Sequence, residues 1–335
     1  MHCINQGFVF RIAGHFLIMY TGNDLFSGEC RGFVLLESLY RIMKKNHTLS
    51  IAAIVTSMVI FGTIGIFRRF IPLPSEVLAF TRGVMGSVFL LIVLKLTGRT
   101  FDTGSVRQYW RSLALTGAMI GVNWILLFEA YNYTTVAVAT LCYYMQPVIV
   151  ILVSPLILKE RFTIRKFICV IVSVTGMIFV SGILNDSGGT SGSLRGILLG
   201  LGAATLYAAV VLLNKKITGV PVYEKTIIQL SCAAIVMVPY MIAAGTMKSY
   251  PLEAGQSLAL LTVGILHTGI AYAIYFGAIE NLPAQTSALL SYIDPVTAVL
   301  LSALFLHEPL TGLSAVGAAL ILGSAMAGEL KVHGS

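Results

Sequence analysis

The chain has 335 residues, of which 57% are hydrophobic and 11% charged, with a net charge of +8 and a mean hydropathy of +0.88. Soluble domains carry about 25% charged residues, and no water-soluble chain of this length hides so much apolar surface. Composition therefore excludes a soluble protein and assigns the positive balance to Lys and Arg retained on one side of a bilayer, rather than to nucleic-acid binding.

Residues 1–49 read as an N-terminal extension. "FVFRIAGHFLIMY" is too short to span a membrane and is broken by Arg11 and His15. It also lacks a signal-peptide core and cleavage site. "MKKN" at Met43 resembles an ordinary start, so residues 1–42 are expected to be a poorly ordered extension or a start-site artefact. Ten apolar segments follow, each near the ~20 residues a spanning helix needs. They run over 50–67, 75–96, 112–131, 135–158, 164–183, 195–214, 223–245, 257–279, 283–306 and 311–329. The polar stretch around 185–194 reads as a linker between a first half (50–184) and a second half (195–330).

Orientation follows from Lys and Arg. With the N-terminus inside and Arg82 set aside, fourteen of the eighteen basic residues from residue 43 onward fall in inner segments. Only Arg68, Arg69, Arg195 and Lys248 fall outside, which predicts cytoplasmic N- and C-termini. The five cysteines form no CxxC or Cys/His cluster, so neither metal nor cofactor is expected.

The chain also repeats itself. "YMQPVIVILVSPLILKERFT" from Tyr144 matches "YIDPVTAVLLSALFLHEPLT" from Tyr292 at nine of twenty positions, 148 residues apart. Five helices per half is an odd number, so the second half must enter the membrane upside down. "KER" then faces the cytoplasm and "HEP" the outside, in agreement with the charge count.

This organisation resembles the drug/metabolite transporter superfamily, EamA type. The residues that carry the resemblance are "NWILLFEAYNYTTVAVATLCYYMQPV" with "ILKERFT", and "GIAYAIYFGAIENLPAQTSALLSYIDPV" with "LFLHEPLT". Arg82 resembles the family's helix-2 arginine, and Gln229 sits near the equivalent place in helix 7. The resemblance implies an all-α membrane fold of ten helices in two inverted five-helix repeats. It also implies alternating access around a cavity lined by helices 1, 3, 4, 6, 8 and 9.

Counting from helix ends places a polar layer at the midplane: Asn123, Trp124, Tyr143, Tyr144, Gln146, Tyr207, His267, Tyr272, Tyr292 and Asp294. These are the candidate substrate-binding residues. Trp124 and Tyr272 are partners at the repeat offset. Asp294, the carboxylate placed at this depth, reads either as a proton carrier or substrate counter-charge, or as a structural Asp-Pro turn. His267 reads as its relay partner or as a packed core histidine. Pro147 and Pro295 each free a carbonyl four residues back, of Tyr143 and of Ser291, so each marks a kink or a hinge. Arg82 and Glu129 are expected to pair as a clamp or outer gate, with substrate contact as the second reading, and Glu160 and Glu308 to cap the helices that follow them. "GAMIG" and "GILLG" at Gly117 and Gly196 read as close-packing faces within one chain or between two, so a homodimer is possible.

The expected activity is secondary transport of a small polar metabolite across the plasma membrane. Amino-acid-like solutes come first, with export over uptake and possible proton coupling. The expected partners are a small-molecule substrate and the lipid bilayer. The alternatives are a flippase or exchanger for sugar-linked or nucleotide-type substrates, and an intramembrane enzyme. No nucleophile–base pair supports the enzyme; "GTSG" at 189–192 lies in the polar linker.

Overall fold

A computed structural model describes residues 47–98, 100–134, 136–161, 163–181, 193–306 and 311–329. Among them every regular element is a helix, grouped in ten. These are α1 (His47–Gly62, continued by Ile64–Arg68), α2 (Ser75–Leu96), α3 (Thr103–Tyr133) and α4 (Val136–Tyr143 with Gln146–Leu158). They continue with α5 (Ile164–Val180), α6 (Leu194–Asn214) and α7 (Val222–Ala243). The last are α8 (Ala254–Thr262, Val263–Ile270 and Ala271–Ile279), α9 (Ala284–Leu290 with Ile293–Leu306) and α10 (Gly312–Glu329). Eight are long and apolar enough to cross a bilayer on their own; α5 and α10 are the shorter pair. These two pack on each other, joined by a buried hydrogen bond between the Ser173 and Ser324 hydroxyls at 2.6 Å.

The expected extension through residue 46, most of the expected linker, "GTSG" and Glu308 lie outside the described residues. α1 begins at His47, three residues inside the expected extension. α3 is longer than expected. It starts at Thr103 rather than 112 because Asp102 caps it, its carboxylate accepting from the N–H groups of Gly104 and Ser105, both at 3.1 Å. At 31 residues α3 is about 46 Å long, more than the hydrocarbon thickness. Its first turns carry Arg107 and the exposed Trp110, as a segment at the membrane surface should. α2, α7 and α9 each begin directly after a proline (Pro74, Pro221 and Pro283), whose fixed φ and missing N–H suit a helix entry.

The two repeats are inverted. The end of α4 meets the start of α9, its repeat equivalent, where a Glu160 carboxylate oxygen accepts from the Ala284 N–H at 2.7 Å. The central core gathers Ile54, Ile120, Trp124, Leu230 and Phe276 from α1, α3, α7 and α8. Outward faces carry exposed aliphatics such as Leu156, Leu198 and Ile235, a surface that water would penalise and hydrocarbon accepts. Both glycine pairs act inside the chain. A Cβ on Gly117 would stand 2.7 Å from the Gln229 carbonyl of α7, and one on Gly200 2.9 Å from the Cys142 side chain of α4.

Candidate functional site

α4 and α9 each break just before the polar member of the repeated motif. α4 loses helical form at Tyr144–Met145, ahead of Gln146-Pro147, and α9 at Ser291–Tyr292, ahead of Asp294-Pro295. Proline causes both, since it cannot donate to the carbonyl four residues back. The freed Ser291 carbonyl is met instead by the Asp294 N–H at 3.3 Å. The two breaks are stitched across the repeat axis. Tyr292 donates its hydroxyl to the Tyr144 carbonyl at 3.0 Å, and Tyr144 donates its own to Asp294 Oδ2 at 3.2 Å. Gly62 lets α1 come this close: a Cβ there would lie 2.8 Å from the Asp294 carbonyl.

Asp294 lies in the wall of a cavity of about 370 Å³. The lining runs from Gly65, Arg68 and Ser75 at the α1–α2 turn down to Ser291 and Asp294. Of the expected layer, Trp124, Tyr143, Tyr144, Gln146, Tyr207, Tyr272 and Asp294 line it. Tyr143 and Tyr207 face each other at 6.1 Å between ring centroids, and Phe61 stands edge-on to Tyr272 at 5.3 Å. α2, absent from the expected set of lining helices, contributes Leu78, Ala79 and Arg82.

Three expected members stand back from the lining. Asn123 is buried and donates to the Ala203 carbonyl at 2.6 Å, tying α3 to α6. Tyr292 is buried behind the break it stitches. His267 sits in the π-helical turn of α8, with Nε2 2.6 Å from the Thr63 hydroxyl, Nδ1 3.3 Å from the Thr262 carbonyl and Phe67 edge-on at 5.1 Å. It thus faces the interruption of α1 at Thr63 rather than Asp294.

The expected Arg82–Glu129 pair is replaced by two separate contacts. Glu129 accepts from the Tyr240 hydroxyl at 2.7 Å. Arg82 lays its guanidinium over the Trp124 ring, 4.6 Å from the centroid, and its buried Nε has no acceptor. The indole offers the guanidinium a cation–π surface, while the Tyr240 hydroxyl meets the Glu129 carboxylate.

The opposite end of the bundle is closed by polar contacts, some between the repeats and others within the second. Glu160 takes the first N–H groups of α9, from Ala284 at 2.7 Å and Gln285 at 3.4 Å. This corrects its expected role: it caps the fourth helix of the other repeat, not α5, whose N-cap Thr163 makes no side-chain bond. Lys225, fully buried on α7, donates to the Ile217 carbonyl at 2.8 Å and pairs with Glu280 at the end of α8. Lys215 donates to the carbonyls of Ile279 and Leu282. Above them Gln229 donates to the Thr116 hydroxyl at 2.6 Å and to Asn214 Oδ1 at 2.8 Å.

Several lining residues were missed from the sequence although a signal existed. Leu127, Phe128 and Tyr131 follow Trp124 at helical spacings of three, four and seven, and Tyr275 follows Tyr272 at three, so each shares a face with a residue already chosen. Phe61, Gly65 and Arg68 of α1 had no such signal.

A broken-helix pair around a cavity is a transporter arrangement, and comparison with known proteins agrees. The profile of the EamA-like transporter family matches residues 48–182 and again 194–327. The chain belongs to the EamA-like transporter family. Among its EamA relatives, the uncharacterized transporter YxxF of Bacillus subtilis is 29% identical over 265 residues, 79% of this chain and 84% of that one. Protein RarD of Salmonella typhi is 30% identical across 68% of this chain and 76% of its own. Protein PecM of Dickeya dadantii is 26% identical across 76% and 84%. A solved crystal structure superposes with a TM-score of 0.73 over 84% of this chain and 97% of that one at 17% identity, which shows a shared fold. The chain is a multi-pass membrane protein of a transporter family.

Proposed function

We propose that this EamA protein is a secondary transporter that exports small polar metabolites, amino-acid-like solutes first, across the plasma membrane by alternating access. The observation that carries the reading is Asp294, a carboxylate at the junction of two proline-broken helices in the wall of a tyrosine-rich cavity. Backbone broken at membrane depth is tolerated only where protein or a wet cavity meets its polar groups, and transporters place substrate there.

With both termini cytoplasmic, as the basic residues argue, the cavity faces outward and the Glu160–Lys215–Lys225 end is the shut cytoplasmic side. The inverted repeats supply the second state: the contacts that close one end give way as their counterparts close the other. Asp294 takes and releases a proton as the cavity alternates between the two sides. His267, held between Thr63 and Thr262, couples the α1 interruption to the α8 π turn. Pro147 and Pro295 are the hinges.

Flux of a solute panel into proteoliposomes, with and without a pH gradient, tests this. Saturable, gradient-driven flux supports it. Conductance without saturation, or an absence of flux across the panel, would overturn it.

A further inference from the structure

Arg82 and Asp294 are both charged residues of the cavity wall, yet they differ in what holds them. Asp294 already accepts the Tyr144 hydroxyl at 3.2 Å. Arg82 has no carboxylate within 4 Å among the described residues, and its contact is the Trp124 face, with a buried Nε left without an acceptor. The cation–π contact occupies none of the guanidinium's hydrogen-bond donors. The fork that binds a carboxylate through two parallel hydrogen bonds carries no acceptor among the described residues. A second buried donor of the lining, the Gln146 Nε2, is also without an acceptor. Arg68 stands in the lining at the α1–α2 turn, its two arms on the carbonyls of Ile71 and Leu73, and adds positive charge where a solute enters. Aromatic rings make up much of the remaining wall, among them Phe61, Tyr143, Tyr207, Tyr272 and Tyr275, beside aliphatic Met58, Ile64, Leu78 and Leu127. At about 370 Å³ the space suits one small ring and its substituent, near the lower bound for small-molecule sites.

We infer that the cavity selects ring-bearing organic acids, with the carboxylate on the free edge of Arg82 and the ring among the tyrosines. This rests on the carrier reading above and narrows its substrate from polar metabolites in general to one chemistry. The carboxylate meets donors that the protein leaves unsatisfied, and the ring covers surfaces that water would otherwise wet.

The test uses three compounds of one shape: 3-phenylpropionate, its neutral amide and 3-phenylpropylamine. Binding to the full-length, detergent-solubilised protein is read from Trp124 fluorescence in a Trp110→Phe background and from ligand-induced shifts in Tm. The acid should bind saturably, with the amide at least about tenfold weaker and the amine weaker still. Arg82→Gln should weaken the acid by at least about tenfold and leave the amide unchanged. Arg82→Lys should fall between, since it keeps the charge and loses the fork. Should Arg82→Gln fail to fold, Arg82→Lys and the acid-to-amide ratio of the native protein decide. Equal binding of acid and amide, a best-binding amine, or the same loss for both compounds in Arg82→Gln would overturn the inference. Acid binding without flux of any panel solute counts against the carrier reading alone. Flux of other solutes with equal acid and amide binding counts against the acid assignment alone.

Discussion

At the α4–α5 end of the bundle, buried charge is matched inside the chain: Lys225 has Glu280 and a carbonyl, Lys215 has two carbonyls, and Glu160 has two backbone N–H groups. In the cavity, Arg82 has an aromatic face and Asp294 a single tyrosine hydroxyl. The first arrangement ties the helices of the second repeat to one another and, through Glu160, to the first; the second leaves donors and an acceptor for something that arrives. The contrast is physical. An ion buried in the membrane must be neutralised or solvated, and a region that neutralises its own ions is a seal, whereas one that does not needs a solute or a proton.

Four substitutions test this contrast, from the largest expected effect to the smallest. Asp294→Asn keeps the side-chain shape and the Tyr144 contact but removes the titratable group. It should abolish the response of proteoliposome flux to a pH gradient while leaving expression and monodispersity unchanged; an unaltered pH response would remove Asp294 from the coupling step. At the closed end, Lys225→Met removes the buried cation of the Lys225–Glu280 pair and should cost up to about 3–5 kcal/mol, seen as a large fall in Tm in detergent. The double variant Lys225→Met with Glu280→Leu should recover most of that loss, and no recovery would show that Lys225 acts through the Ile217 carbonyl instead.

Glu160→Gln weakens two charge-assisted bonds to the start of α9, an effect of about 1–3 kcal/mol, and should loosen the closed end without touching the cavity. A cysteine placed at Ser291 should then be labelled faster from the cytoplasmic face of oriented vesicles. Equal labelling rates would mean that the Lys225 and Lys215 contacts close that end alone. The smallest effect belongs to Asp102, whose carboxylate is held below its ordinary range by hydrogen bonds from Ser105 and Gly104 at the surface. A lowered folded value means that the cap contributes fully above the ordinary carboxylate pKa and is lost as pH falls through the folded one. Asp102→Ala should lower Tm slightly at neutral pH, and the difference from the native protein should vanish in acid.

Much of the fold was legible because membrane physics writes it locally. Ten apolar runs, the bias of basic residues and the 148-residue repeat of "YMQPV" in "YIDPV" each depend on composition or register alone. The breaks of α4 and α9 were equally local, since Pro147 and Pro295 act on their own helices. The start of α3 was misjudged because hydropathy weighs apolar length, while Asp102 extends the helix through polar turns that lie outside the hydrocarbon. The site was legible in part. Tyr144, Tyr207, Tyr272 and Asp294 were found by depth, but depth does not say which way a side chain points, and so Asn123 and His267 were drawn into a layer whose cavity they do not line.

The amino-acid sequence by itself determined that this chain lives in a membrane, that it crosses as two halves of opposite sense, and that Asp294 breaks their symmetry where Gln146 stands in the other copy. Tertiary structure alone decided the partners. Glu160 reaches across to α9, Arg82 turns to Trp124 instead of Glu129, and His267 to Thr63 instead of Asp294. Period and composition are properties of neighbouring residues, but these contacts join residues 42 to 204 positions apart. Which of several chemically suitable partners a charge meets depends on how the helices rotate and pack about one another, and that is settled only when the two repeats close on each other.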